Sequence, residues 1–168
     1  IGLGILGLLT TQLLKAAGCQ VIAADLDERR VKLATNVGAD RVITTSDNDW
    51  ENPVHQFTGG YGVDATIITA GSTSDAIVQQ AMEITRKKGK VVVVGGVGLG
   101  LKRSPFYEKE IDFLMSSSYG PGRYDVTYEE RGEDYPFAYV RWTENRNMEE
   151  YLRLIAEGKV QLKSVVEY

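Results

Sequence analysis

Two residue types are almost missing from this chain of 168 residues: cysteine and histidine occur once each, as Cys19 and His55. A single cysteine excludes an internal disulfide framework. One Cys and one His fall short of the ligand set a protein-built zinc site requires. No apolar run approaches the ~18 residues that span a bilayer. No charged segment followed by an apolar stretch marks a secretory leader. Basic residues are not in excess either, with 19 Lys and Arg against 23 Asp and Glu and a net charge of -4. That balance argues against a nucleic-acid partner, which would call for a basic patch. The expectation is a cytoplasmic protein with neither nucleic acid nor membrane as partner. What is present is ordinary: 43% hydrophobic and 25% charged residues, on a length that supports one domain with a substantial core.

The first 118 residues alternate in type. Ile5 to Ala17 reads as a helix, with Ile5, Leu6, Leu9, Leu13 and Ala16 at helical spacing and Gly18 as its stop. "CQVIAAD" reads as a buried strand, "LDERRVKLATNVG" as a helix and "DRVITT" as a third element of strand type. A polar stretch from Ser46 to Gly62 carries a short helix around Trp50 to Phe57. "VDATIITAG" is an apolar strand, Ser74 to Arg86 is helical in pattern, and "GKVVVVGG" is a buried strand. Continuous apolar strands alternating with helices predict an α/β fold, a doubly wound and mostly parallel sheet of Rossmann type.

The chain opens on "IGLGILG", with glycines at 2, 4 and 7. A G-x-G-x-x-G run alone is weak evidence, but here it opens a helix, and Asp25 follows at the end of the next strand. Each part has a physical reason. Gly2 permits a tight turn. Gly4 lets backbone approach a pyrophosphate, and Gly7 lets the helix sit close to the sheet. The free N–H groups of the first helical turn and its dipole attract phosphate. The cofactor-binding set therefore begins with Gly2, Gly4, Ile5, Leu6, Gly7 and Asp25. Asp25 can accept hydrogen bonds from ribose hydroxyls and would repel a 2′-phosphate, so the expected cofactor is NAD rather than NADP. Asp27, the rival acid, suits a helix N-cap better.

The run from "GLGILGLLTTQLLKAAGCQVIAADLDERRVKLATNVGADRVI" through "TGGYGVDATIITAGS" to "GKVVVVGGVG" resembles the nucleotide-binding domain of medium-chain, zinc-type alcohol and threonine dehydrogenases. The resemblance covers roughly residues 1 to 118. It implies that Arg30 lies along the adenine side, that Ala70 and Gly71 border the adenosine, and that Gly95, Gly96 and Val97 border the nicotinamide. It also implies a separate catalytic domain, supplying zinc ligands, as the partner of these residues. None of that domain is recognisable here. Cys19 reads as a small packed residue and His55 as a solvated one, so no catalytic or metal-binding residue is assigned.

The resemblance raises a further expectation. Only Ile1 precedes the glycine turn, so most of the first, central strand of the fold is not in this sequence. Burying four or five Val or Ile side chains is worth about 1.5–3 kcal/mol each. The total rivals the whole stability of a domain, about 5–15 kcal/mol. The central slot is therefore expected to be filled by other residues or to collapse, with the turn from Gly2 to Gly7 displaced.

From Tyr119 to Trp142 there are seven aromatics: Tyr119, Tyr124, Tyr128, Tyr135, Phe137, Tyr139 and Trp142. "SYGPGRYD" and "YPFAYVRWTENRNMEEYLRLIAEGKV" resemble a subgroup of two-part oxidoreductases, in which a medium-chain unit is fused to a glucose–fructose oxidoreductase-type unit. Residues 119–168 otherwise read as an aromatic-rich loop and a closing helix at Met148 to Glu157, part of the same domain as residues 1–118. Amphipathic Tyr and Trp also suit a docking surface, including a homodimer. Three functions fit: the NAD-binding part of a dehydrogenase acting on an alcohol, polyol, sugar or amino-alcohol; a non-catalytic NAD-sensing module; or a methyltransferase using S-adenosylmethionine. The ordered match through "GKVVVVGGVG" disfavours the last.

Overall fold

The computed structural model describes residues 1–46 and 49–166. Its elements in chain order are α1 (Ile5–Ala16), β1 (Ile22–Asp25), α2 (Glu28–Asn36), β2 (Arg41–Thr44), α3 (Glu51–Phe57), β3 (Val63–Ile68) and α4 (Ala76–Ile84). There follow β4 (Thr85–Val93), α5 (Arg103–Phe106), β5 (Asp112–Met115), α6 (Val126–Glu129), α7 (Glu144–Ala156) and α8 (Lys163–Val166). Two compact units result. The first holds residues 1–115 and 161–168, the second residues 116–160.

All strand pairs in the first unit are parallel, as expected of an α/β fold. The strands form two sheets, β1-β2 and β3-β4-β5. Crossover helices cover them: α2 packs on β1 and β2, and α4 on β3 and β4. Small residues on β1 let this happen on both faces. Ala23 packs with Leu3, Leu8, Val31 and Ala34, while Ala24 packs with Ile43, Trp50, Val54 and Ile84. A third cluster joins Ile68, Val91 and Val93 to Val78, Ala81 and Met82 of α4.

Between β1 and β3 the sheets part around a cavity of about 650 Å³, whose wall includes Ile1, Ala24, Trp50, Val54, Ile67 and Ile84. The expected filling or collapse of this slot does not occur, and the glycine turn at its edge stays bonded to both sheets. Ile1 and Gly2 hold it. Ile1 N donates to Ile67 O (2.7 Å), Thr69 N donates to Ile1 O (2.8 Å), and Gly2 N donates to Ala24 O (2.8 Å). Two residues thus bridge both sheets with backbone hydrogen bonds, which buried peptide groups require.

The first unit differs from the sequence reading at both ends of β4 and at β5. The helical pattern through Arg86 ends at Ile84, because Thr85 turns extended and starts β4. Its buried hydroxyl donates to Ala81 O (2.6 Å) and meets that of Thr66 at 2.7 Å. Val94, read as the fourth valine of a buried strand, lies beyond β4 and is exposed. β5 was not foreseen at all.

In the second unit, Tyr128 stacks on Tyr135 with ring centroids 5.5 Å apart. Tyr128 Oη lies 2.7 Å from Thr143 Oγ1, and Tyr135 donates to Asp125, which caps α6 through Thr127 N. The other five aromatics of the run are exposed, Tyr139 most of all. The closing helix starts at Glu144, four residues earlier than its apolar pattern suggests, with Thr143 as N-cap.

Candidate functional site

The glycine turn and the loops at the C-terminal ends of β1, β3 and β4 converge in the first unit. The glycine turn comes first. Gly2 adopts φ +93, and a Cβ there would lie 2.5 Å from Ala70 N. A Cβ on Gly7 would lie 1.9 Å from Gly2 O. Gly2 is thus demanded by packing and backbone conformation, and Gly7 by packing. Gly4 is different: its φ is -66, and nothing lies within 4 Å of an added Cβ. It is the N-cap of α1 and makes no side-chain cap hydrogen bond. The first-turn N–H groups, those of Ile5 and Leu6 among them, have no intrahelical partner. Ile5 and Leu6 are exposed, so this end of a twelve-residue helix faces outward.

Asp25, at the end of β1, is only 8% exposed. Its Oδ2 accepts from Leu3 N at 2.6 Å, and its Oδ1 from Asp27 N at 2.9 Å. The acid therefore clamps the glycine turn to the second loop. Each carboxylate oxygen retains a second lone pair for a further donor. Arg30 Nη1 lies 3.7 Å from Asp25 Oδ2 and is largely exposed. Asp27 is the N-cap of α2, accepting from Arg29 N at 2.9 Å. Side-chain and backbone hydrogen bonds from Arg29 hold its carboxyl down at about 2.

Ala70 is the meeting point of the loops after β3 and β4. A Cβ on Gly95 would lie 2.0 Å from Ala70 O, so Gly95 is also required by close approach. Gly95 N donates to Ile68 O (3.0 Å), and Ser72 N donates to Gly96 O (2.8 Å). Gly71 and Gly96 have open space around an added Cβ. Val97 packs partly buried against the cluster around Ile68 and Val93. The structure thus brings Gly2, Ala70 and Gly95 into contact, with Gly71, Gly96 and Val97 on the adjoining loops.

Residues that sequence reasoning missed join this centre. Thr69 Oγ1 donates to Gly2 O (2.6 Å), and Leu3 N supplies the bond to Asp25. No local signal announces either, since the partners lie 67 and 22 residues apart.

Cys19 and His55 stand elsewhere. Cys19 is exposed rather than packed, because its N–H closes the end of α1 on Leu14 O and leaves the side chain outside. His55, expected to be solvated, is half-buried in the last turn of α3. Among the described residues, no three His, Cys, Asp or Glu side chains group as a metal site. The residues present do not fit a zinc centre, and no step is derived through one.

The profile of the zinc-binding dehydrogenase family matches residues 6–130, three-quarters of the chain. The chain belongs to that family. It is 33% identical over 129 residues to sorbitol dehydrogenase of Halalkalibacterium halodurans, covering 74% of this chain and 37% of that protein. It is 30% identical over 126 residues to D-arabitol-phosphate dehydrogenase of Enterococcus avium, covering 72% and 35%. The chain thus spans little more than a third of these relatives' length. Among solved structures, the alcohol dehydrogenase of the archaeon Aeropyrum pernix superposes with a TM-score of 0.72 at 27% identity, covering 95% of this chain and 39% of that one. That structure shares the parallel α/β architecture on which the loops after β1, β3 and β4 are mounted. Among the described residues, no helix is long and apolar enough to cross a membrane.

Proposed function

We propose that these residues form the NAD-binding part of an oxidoreductase that moves hydride between nicotinamide and an alcohol, polyol, sugar or amino-alcohol. The observation that carries this reading is Gly4. Neither its backbone conformation nor any contact within the protein calls for glycine there, yet it caps an open helix N-terminus. Beyond the modest N-cap preference for glycine over alanine, a pyrophosphate approaching the backbone is a physical reason for it. The relatives' names support the same class of chemistry.

In this reading, the N–H groups of Ile5 and Leu6 and the dipole of α1 hold the pyrophosphate. Asp25 takes the adenosine ribose hydroxyls through its free lone pairs, and Arg30 flanks the adenine. Ala70 and Gly71 border the adenosine. Gly95, Gly96 and Val97 border the nicotinamide and exclude water from it. When bound, NAD supplies the hydride acceptor or donor, and the protein binds and orients it. The proposal places the catalytic groups in a separate domain that serves as partner to these residues. It also includes fusion to a glucose–fructose oxidoreductase-type unit, a homodimer and a cytoplasmic setting. The exposed aromatics of residues 119–142 suit such docking.

Calorimetric titration of the chain with NAD and, separately, S-adenosylmethionine tests the reading. Saturable binding of NAD at one site, without binding of S-adenosylmethionine, is the expected result. The reverse would overturn it.

A further inference from the structure

Asp75 occupies the N-cap position of α4, yet its side chain makes no capping hydrogen bond. The neighbouring Ser74 Oγ instead accepts from Ala76 N at 3.1 Å. The Asp75 carboxylate turns to the loop after β4, where Oδ1 accepts from Gly100 N at 2.8 Å. Two glycines of that loop are shaped around it. A Cβ on Gly98 would lie 2.3 Å from Asp75 Oδ1 and 2.9 Å from Thr73 O. A Cβ on Gly100 would lie 2.3 Å from Asp75 Oδ2. Neither glycine has a left-handed φ; at Gly98 the backbone of Thr73 and Asp75 crowds a side chain, and at Gly100 the Asp75 carboxylate does. The loop is then tied at four points: Gly95 N to Ile68 O, Gly96 O by Ser72 N, Val97 by packing, and Gly100 N by Asp75.

We propose that Asp75 is a positioning residue for the nicotinamide side of the site. It fixes the far end of the loop, residues 98–100, which follows directly on the residues 95–97 that border the nicotinamide, so that the loop meets the nicotinamide half of the cofactor and not the adenosine half. This rests on the cofactor reading above. Because Asp75 does not cap its own helix, its loss should leave α4 intact and release only the far end of the loop.

The test compares wild type, Asp75→Ala and Asp75→Asn. Dissociation constants are measured for NAD and for ADP-ribose, which lacks the nicotinamide, and NMR follows exchange of the Gly100 amide. In Asp75→Ala, exchange at Gly100 should quicken about fivefold or more, the loss of one hydrogen bond of ~1 kcal/mol. NAD should weaken by a similar factor and ADP-ribose should not. Asp75→Asn, which keeps an acceptor oxygen, should restore both. Equal weakening of NAD and ADP-ribose, or unchanged NAD affinity, would overturn the role of Asp75 alone. Wild-type protein that binds neither ligand would overturn the cofactor reading and this role together, while Gly100 exchange would still report whether the bond exists.

Discussion

The glycines at positions 4 and 7 should answer to substitution in opposite ways. A Cβ on Gly7 would sit 1.9 Å from Gly2 O and 2.9 Å from Thr69 Oγ1. Real carbon–oxygen contacts need roughly 3.2 Å or more, so Gly7→Ala must push α1 away from the turn by more than an ångström. Overpacking of that kind costs about 1–3 kcal/mol. The push also strains the Thr69 Oγ1 to Gly2 O bond. Gly4→Ala meets nothing within 4 Å and needs no unusual φ. Its expected cost is that of a poorer N-cap, about 0.5–1 kcal/mol at most. Yet the new methyl stands where the pyrophosphate would approach, and losing one hydrogen bond to a charged phosphate, about 1.5 kcal/mol, weakens affinity about tenfold. Urea denaturation and calorimetry with NAD read the two effects separately. Gly7→Ala should lower the denaturation midpoint clearly, whereas Gly4→Ala should nearly keep it and weaken NAD binding about tenfold. A Gly4→Ala protein that binds NAD like wild type would refute the reasoning, as would one that is less stable than Gly7→Ala.

Other consequences are equally direct. Lys109 Nζ donates to Met82 O, Glu83 O and Thr85 O, closing the C-terminal end of α4. Lys109→Met should therefore lower unfolding free energy by about 1–2 kcal/mol in urea melts, and an unchanged midpoint would contradict it. The Asp27 carboxyl, held at about 2 by Arg29, should titrate there by carbon NMR. Its folded value is depressed, so its contribution to stability is present in full above the unfolded value of about 4 and is lost progressively as pH falls from there through about 2. A midpoint near 4 would contradict the N-cap pairing. Finally, the 168-residue chain alone should show no steady NADH production from alcohols or sugar alcohols, and sustained turnover would refute the placement of the catalytic groups elsewhere.

Much of the first unit was legible because its signals are local. The 3.6-residue spacing of Ile5, Leu9 and Leu13, the stop at Gly18 and the N-cap Asp27 each act within one turn, and each lies where its element begins or ends. β5 was not legible. Its four residues form an edge strand with Leu114 and Met115 exposed, so neither alternation nor a buried run marks it. The start of β4 was hidden because Ile84 and Thr85 continue the apolar face of α4, and only the buried pairing of Thr85 with Thr66 makes the chain turn there. At the site, the glycine spacing pointed to the turn. The sharing of Ala70 between Gly2 and Gly95, the Thr69 bonds and the Asp75–Gly100 tie join residues 25 or more positions apart, which no local pattern encodes.

The central claim is that Asp25, buried and clamped to the glycine turn through Leu3 N, selects NAD. Titrating wild type and Asp25→Ala with NAD and NADP tests it most directly. Wild type should bind NAD more tightly than NADP, and Asp25→Ala should weaken NAD while narrowing the gap. Tighter binding of NADP by the wild-type chain would contradict the account.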